Sequence, residues 1–369
     1  MVIKYLYLDD EGITAVKPYV DIVAGQSKEL QIDIEHPANF KDNSALIGTL
    51  KGYHGLILDW RLDEISSQLS KKKADFRAAT LAQEIRTREA EKKIHAFPIV
   101  VWSQQNRLNK SYLGDFTSHD LFNLVCKKEE IIAEPNIVQD QLISLALGYK
   151  YIGKFRSVKK KFKLSDLLRT KETYVDIRVQ DYFNSTAHTI HEIARFIIRE
   201  LLERPGLLID EHRLASRLGI DKNKSKDWGK LLNSIKKCKY LGPFGEAWER
   251  WWAYGVEKEW WFTTSGQDIS ISLLTAKERL EIIKKKTSIK NLIAAEPIKP
   301  KYHTRFYTIC EYSKKPLDPI DGVILAEKEP QPWQERRYIS LVAALERREG
   351  FDPHPTELER LKNLKHTKG

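Results

Sequence analysis

Four short apolar runs constrain this chain most, because each stops on a residue with useful chemistry. IKYLYL (3–8) stops at Asp9, Asp10 and Glu11, and GLIL (55–58) at Asp59. FPIVVW (97–102) stops at Ser103, and LFNLVC (121–126) at Lys127. Short runs that are apolar on both faces and rich in Val, Ile, Leu and Tyr fit strands buried in a parallel sheet. The segments between them are long enough for crossover helices. The clearest is ADFRAATLAQEIRTREAEKK (74–93), with Phe76, Leu81 and Ile85 on a charged background. Alternating strand and helix predict an α/β domain over residues 1–149, a doubly wound parallel sheet of five strands. In such sheets ligands sit beyond the carboxyl ends of the strands, where all these polar groups fall.

Together, Asp9, Asp10 and Asp59 form a carboxylate cluster whose mutual repulsion calls for a cation. Oxygen ligands select a hard ion, and Mg²⁺ with retained waters fits best. Beside a metal, Asp59 can act as a nucleophile towards a phosphoryl group. Ser103 can hydrogen-bond one phosphoryl oxygen and Lys127 can neutralise another. Taken singly, each residue has a plainer reading: a DD pair as a helix N-cap, a turn serine, a surface lysine. As a set they describe a metal-assisted phosphoryl acceptor.

LDDE after the first run, LILDW around Asp59, VVWS and LVCK resemble a response-regulator receiver domain over about residues 1–135. The resemblance implies phosphotransfer from a histidine kinase to Asp59, with Mg²⁺ as cofactor. Asp10 is implied as the principal metal ligand, with Asp9 beside it, Asp59 and the backbone carbonyl of Arg61. Ser103 and Lys127 are implied on the phosphoryl group. The sequence departs from the family in three places. The 44 residues from Asp59 to Ser103 are more than is usual, the excess being SSQLSKKKADF (66–76) and the helix after it. Lys128 stands where a proline usually follows the lysine, and Leu124 takes the aromatic switch position. These changes touch the conformational read-out more than the chemistry.

The formal net charge of +11 is unevenly spread. Residues 1–135 hold 18 basic and 20 acidic side chains, the remainder 44 and 31. That asymmetry supports two units and permits a polyanion partner for the second, although lysines scattered over solvated helices give the same balance. The expected order after the receiver is a basic connector (150–172), a mainly helical, Trp-rich output or interaction domain (173–348) and a polar, frayed tail (349–369).

TAHTIHEIARFIIRELLE (186–203) sets Ile190, Ile193, Ile197 and Leu201 on one helical face, and Pro205-Gly206 ends it. LLIDEHRLASRLGI (207–220) and SKDWGKLLNSIKKC (225–238) are compatible with a winged-helix-like unit. There, Arg213, Arg217, Lys222, Lys224 and Lys226 would lie near DNA phosphates, the alternative being a DNA-binding transcriptional regulator. Trp248, Trp251, Trp252, Trp260 and Trp261 admit core packing, a protein-binding anchor or base stacking. His188 and His191 stand three apart on a helix without an HExxH partner, which favours packed or surface histidines over a metal site. Residues 294–332, rich in proline, predict irregular or β structure, and 333–348 a final amphipathic helix. No Gly-rich phosphate loop and no GxSxG is present, so a separate output enzyme is unsupported.

No stretch approaches the roughly 18 apolar residues of a spanning helix. MVIKYLYLDDEG lacks the features of a signal peptide, and three scattered cysteines argue against a disulfide framework. The expected location is the cytoplasm, without membrane attachment. A receiver with a modified switch and a large output region of no standard transcription-factor type, with segments such as LAQEIRTR, resembles the receiver proteins of Detocs-type anti-phage two-component systems. That resemblance implies a phosphate buffer or signalling adaptor partnered by a histidine kinase and another receiver protein, with nucleic acid less favoured.

Overall fold

Five strands form one sheet in the order Leu30–Glu35, Ile3–Leu8, Gly55–Leu58, Ile99–Ser103 and Leu124–Lys127, with every neighbouring pair parallel. In this computed structural model the described residues are 1–25, 27–63, 74, 76–112, 117–159, 161–266 and 269–366. Apart from Ala74 and Phe76, the inserted SSQLSKKKADF lies outside them. The chain divides into two compact units. The first comprises Met1–Leu167, Tyr182–Ile198 and Gly242–Trp248, and the second Leu168–Asp181, Arg199–Leu241 and Glu249–Gly369.

In the first unit β1 (Ile3–Leu8), β3 (Gly55–Leu58), β4 (Ile99–Ser103) and β5 (Leu124–Lys127) arise from the four apolar runs. The sequence gives no comparable signal for β2 (Leu30–Glu35). It is an edge strand, LQIDIE, in which apolar and polar residues alternate. Side chains of the inner strands alternate between two buried faces. Leu6, Leu8, Leu56, Leu58, Ile99 and Val101 join a core with Leu46 and Ile47 of α2 (Asn43–Thr49) and Leu81 and Ile85 of α3 (Ala78–Ala90). Tyr5, Tyr7 and Trp102 take the opposite face, where the Tyr5 hydroxyl donates to the Leu142 carbonyl of α6 (Pro135–Val158) at 2.7 Å. The basic stretch expected as a connector continues as the last turns of α6 up to Val158. Further along the chain, His191 bridges the Tyr149 hydroxyl (2.8 Å) and the Asp120 carbonyl (2.7 Å), so it is a satisfied interior histidine.

The second unit is built of short helices and three two-stranded antiparallel pairs. Its main core joins Leu214 and Leu218 of the helix Glu211–Leu218 with Leu231, Trp251, Val256, Trp261 and Ile283. A second cluster holds Cys310, Leu317, Val323, Leu325, Ile339 and Leu361. Leu361 belongs to a helix, Leu358–His366. The expected frayed tail is therefore partly folded, held by an apolar residue that a polar composition conceals. The expected helix over 333–348 is shorter, a strand Tyr338–Ser340 followed by a helix Leu341–Leu345. The proline-rich segment before it carries short strands, as expected. No helix among the described residues is long and apolar enough to cross a membrane.

Candidate functional site

Register decides which residues meet. Leu8 pairs with Leu58, Leu58 with Val101, and Ser103 with Lys127, so the strand ends line up along one edge of the sheet. The switch in strand order lies between β1 and β3, where a doubly wound sheet opens a crevice. Asp9, Asp10, Asp59 and Ser103 all fall there and are all buried. Gly12 (φ 87°) turns the chain from this acidic corner into α1 (Ile13–Ala24), a backbone conformation that side chains other than glycine resist.

The acids differ in their company. Asp9 has both oxygens engaged: Oδ2 accepts from the Tyr7 hydroxyl (2.6 Å) and Lys128 Nζ (2.9 Å), Oδ1 from the Glu11 backbone N–H (2.9 Å). Both oxygens of Asp9, expected as the second metal ligand, thus already have protein donors. Asp59 Oδ2 accepts from Arg107 Nη1 (2.8 Å) and from the Arg61 backbone N–H (3.2 Å). Asp59 Oδ1 and Ser103 Oγ are buried with no hydrogen bond of regular geometry. Burial, then the charge of Asp9, raises the Asp59 carboxyl, against the opposing pull of Lys128, Ser103 and Arg107; the balance lies at about 6.

The lysine of the site is Lys128, not Lys127. Lys127 ends β5 with its side chain partly exposed and paired to Glu130 at 2.8 Å. Lys128 opens α5 (Lys128–Ala133) and is 1% exposed, with Nζ 2.9 Å from Asp9 Oδ2 and 3.2 Å from Glu11 Oε2. Burial opposes its charge, but Asp9, Asp59 and Glu11 outweigh that and hold it above its ordinary range. Two adjacent lysines at a strand-to-helix joint left the register open by one. The residue three before the site lysine becomes Val125, which is still not aromatic.

Arg107 is the residue that the sequence did not reveal. It comes from the turn Gln105–Arg107 after β4, and its guanidinium lies 2.8 Å from Asp59 Oδ2, 3.2 Å from Glu11 Oε1 and 3.9 Å from Asp10 Oδ1. Among the described residues no three His, Cys, Asp or Glu side chains form a ready metal cluster. The donor types of the pocket are those that suit Mg²⁺. Asp10, Asp59 and a backbone carbonyl are hard oxygen ligands, and Asp59 Oδ1 is a buried carboxylate oxygen with no protein donor of regular geometry.

Of the other sequence candidates, four of the five tryptophans and both arginines are interior residues of their units. In the first unit, Trp248 packs on Phe244 with ring centroids 6.5 Å apart. In the second, Trp251, Trp252 and Trp261 are at most 2% exposed, and Trp261 Nε1 donates to the Ile269 carbonyl at 2.9 Å. Trp260 packs partly buried against the same core. This cluster is core, not an exposed anchor or stacking platform, because its rings are needed to fill the unit's interior. Arg213 is buried between Asp210 and Glu311, and Arg217 between Glu257 and Glu335 with its guanidinium 4.2 Å from the Tyr307 ring centre. Neither arginine faces outward as a phosphate contact. Lys222 pairs with Glu211 at 3.5 Å, Lys224 lies 3.5 Å from Asp221, and Lys226 is exposed.

No protein-family model matches the chain, and none of the curated proteins matches it. Solved structures similar to it include two response regulators. One is the phosphorylated cyanobacterial phytochrome response regulator RcpA, with 16% identity and a TM-score of 0.26, covering 39% of this chain and 96% of that one. The other is the response regulator ChrA of a heme-sensing two-component system, with 9% identity and a TM-score of 0.22, covering 54% and 96%. The fold is assigned from strand order and register. A doubly wound five-stranded parallel sheet in the order 2-1-3-4-5 is the flavodoxin-like architecture that receiver domains share.

Proposed function

We propose that the first unit is a response-regulator-like phosphoacceptor that takes a phosphoryl group from a histidine kinase onto Asp59. One observation carries this: a buried aspartate at the sheet's switch point has one oxygen without a regular protein donor, beside a buried serine hydroxyl in the same condition. An Asp59 oxygen attacks the phosphorus of a phosphohistidine. The O–P bond forms as the N–P bond breaks, and the N–P electron pair stays on the imidazole. Ser103 Oγ–H donates to a phosphoryl oxygen, and Lys128 supplies positive charge from its anchorage on Asp9 and Glu11. Asp10, Asp59 and the Arg61 carbonyl would hold Mg²⁺, whose chemistry there is to offset the charge gathered on the phosphoryl oxygens.

For the whole chain we infer a cytoplasmic phosphate buffer or signalling adaptor, in the manner of the sink proteins of anti-phage two-component systems. Supporting this, the aromatic and arginine residues that would have served an output in the second unit are consumed in its core. The burial of Arg213 and Arg217 weighs against the DNA-binding alternative. The test follows the lifetime of the adduct after loading with Mg²⁺ and a small phosphodonor, together with mobility on random duplex DNA across a salt series. Rapid turnover without DNA binding is expected. DNA binding that falls steeply with salt contradicts the buffer role.

A further inference from the structure

We propose that Arg107 is a built-in counter-cation of the acidic pocket, against which Mg²⁺ must bind. The inference rests on the pocket being a Mg²⁺-dependent phosphoacceptor site. Lys128 serves Asp9 and Glu11. Arg107 serves the other side of the pocket, with Nη1 on Asp59 and turned towards Asp10, and Nη2 on Glu11. Its charge therefore lies at Asp59 and close to Asp10, the two carboxylates that would hold the metal.

The Arg107 side chain is 22% exposed and enters from a turn of three residues, not from a core helix. Ion pairs with Asp59 and Glu11 help to hold it there. A cation a few ångströms from a metal's ligands repels the metal and competes for the same lone pairs. The pocket with Arg107 in place is thus poised at a weaker metal affinity than its carboxylates alone would give. Buried Asp59 Oδ1, with no donor of regular geometry, is an oxygen that would be offered to the metal.

Arg107 also leads directly into a π-helical stretch, Leu108–Tyr112, whose Tyr112 ring packs edge-on against Trp60 at 5.1 Å. Trp60 follows Asp59 in the chain. Trp60 is thus joined to Asp59 along the chain and, through Tyr112, to the stretch that follows Arg107.

The experiment titrates Mg²⁺ into the full chain by calorimetry and tryptophan fluorescence, for wild type, Arg107→Gln and Arg107→Lys. Arg107→Gln is expected to bind Mg²⁺ at least about tenfold more tightly than wild type, since a charge of like sign has left the ligands. Arg107→Lys keeps the charge but loses reach and the guanidinium fork, and should fall between the two. Equal or weaker affinity in Arg107→Gln overturns the proposal and leaves the phosphoacceptor site standing. If the glutamine variant does not fold, Arg107→Lys decides, and an affinity no tighter than wild type overturns the proposal. Absence of Mg²⁺ binding in wild type and variants alike overturns both the proposal and the metal-dependent site beneath it.

Discussion

Replacing Asp59 by asparagine should stabilise the metal-free protein. Asp59 is 0% exposed, and its carboxyl is raised from its ordinary 3.8 to about 6 by burial and by Asp9, after the help of Lys128, Ser103 and Arg107 is included. The folded state therefore holds the Asp59 proton more tightly than the unfolded chain does. Its contribution to stability is complete below pH 3.8 and is lost as pH rises through about 6. At neutral pH the ionised side chain costs about 3 kcal/mol relative to its protonated form. Asparagine has nearly the same shape, carries no charge at any pH, and its carbonyl can still accept from Arg107 and the Arg61 N–H. Asp59→Asn should thus be about 2–3 kcal/mol more stable than wild type at pH 7. The difference should close as pH falls from about 6 towards 4, as wild type protonates. Urea unfolding in chelator, followed by hydrogen exchange over β1, β3 and β4, isolates the first unit. Added Mg²⁺ should then stabilise wild type and not the variant. An asparagine variant no more stable than wild type at pH 7, or a difference that ignores pH, refutes the reasoning.

The two lysines at the end of β5 should separate sharply. Lys128→Met strands the buried Asp9 carboxylate and should destabilise the first unit by about 3–5 kcal/mol in a thermal or urea melt. Lys127→Ala removes only a half-exposed pair with Glu130 and should stay within about 0.5 kcal/mol. A Cβ added at Gly148 of α6 would come within 2.2 Å of the Phe244 ring, so Gly148→Ala should lower stability by about 1–3 kcal/mol in the same melt. In the second unit, Arg217→Met leaves Glu257 and Glu335 without their shared cation and should destabilise by about 3–5 kcal/mol, read by hydrogen exchange over Glu211–Leu218.

The strands that hold the site were legible because a strand buried on both faces in a parallel sheet must be continuously apolar. GLIL and FPIVVW can do little else. β2 was not legible, since Gln31, Asp33 and Glu35 give an edge strand the look of a loop. Asp9, Asp10, Asp59 and Ser103 were legible as a group because a parallel sheet brings strand ends together however far apart they lie in sequence. Lys128 was missed by one residue at the joint where strand alternation gives way to a helix. Arg107 had no signal, because a turn after a strand end carries no periodicity to say where its side chains point. The tryptophans were visible, but composition alone does not separate a core ring from an exposed one. Arg213 and Arg217 misled for a related reason. Their counter-charges Glu311, Glu257 and Glu335 lie 40 to 118 residues away in sequence.

The most direct test of phosphoacceptance at Asp59 is to map the adduct. The full chain, with Mg²⁺ and either a small phosphodonor or its kinase, would be quenched, digested and read by mass spectrometry. A hydroxylamine-labile phosphoryl group on the peptide carrying Asp59, absent from Asp59→Asn, is the predicted result. No adduct with any competent donor, or an adduct of equal yield in Asp59→Asn, would contradict it.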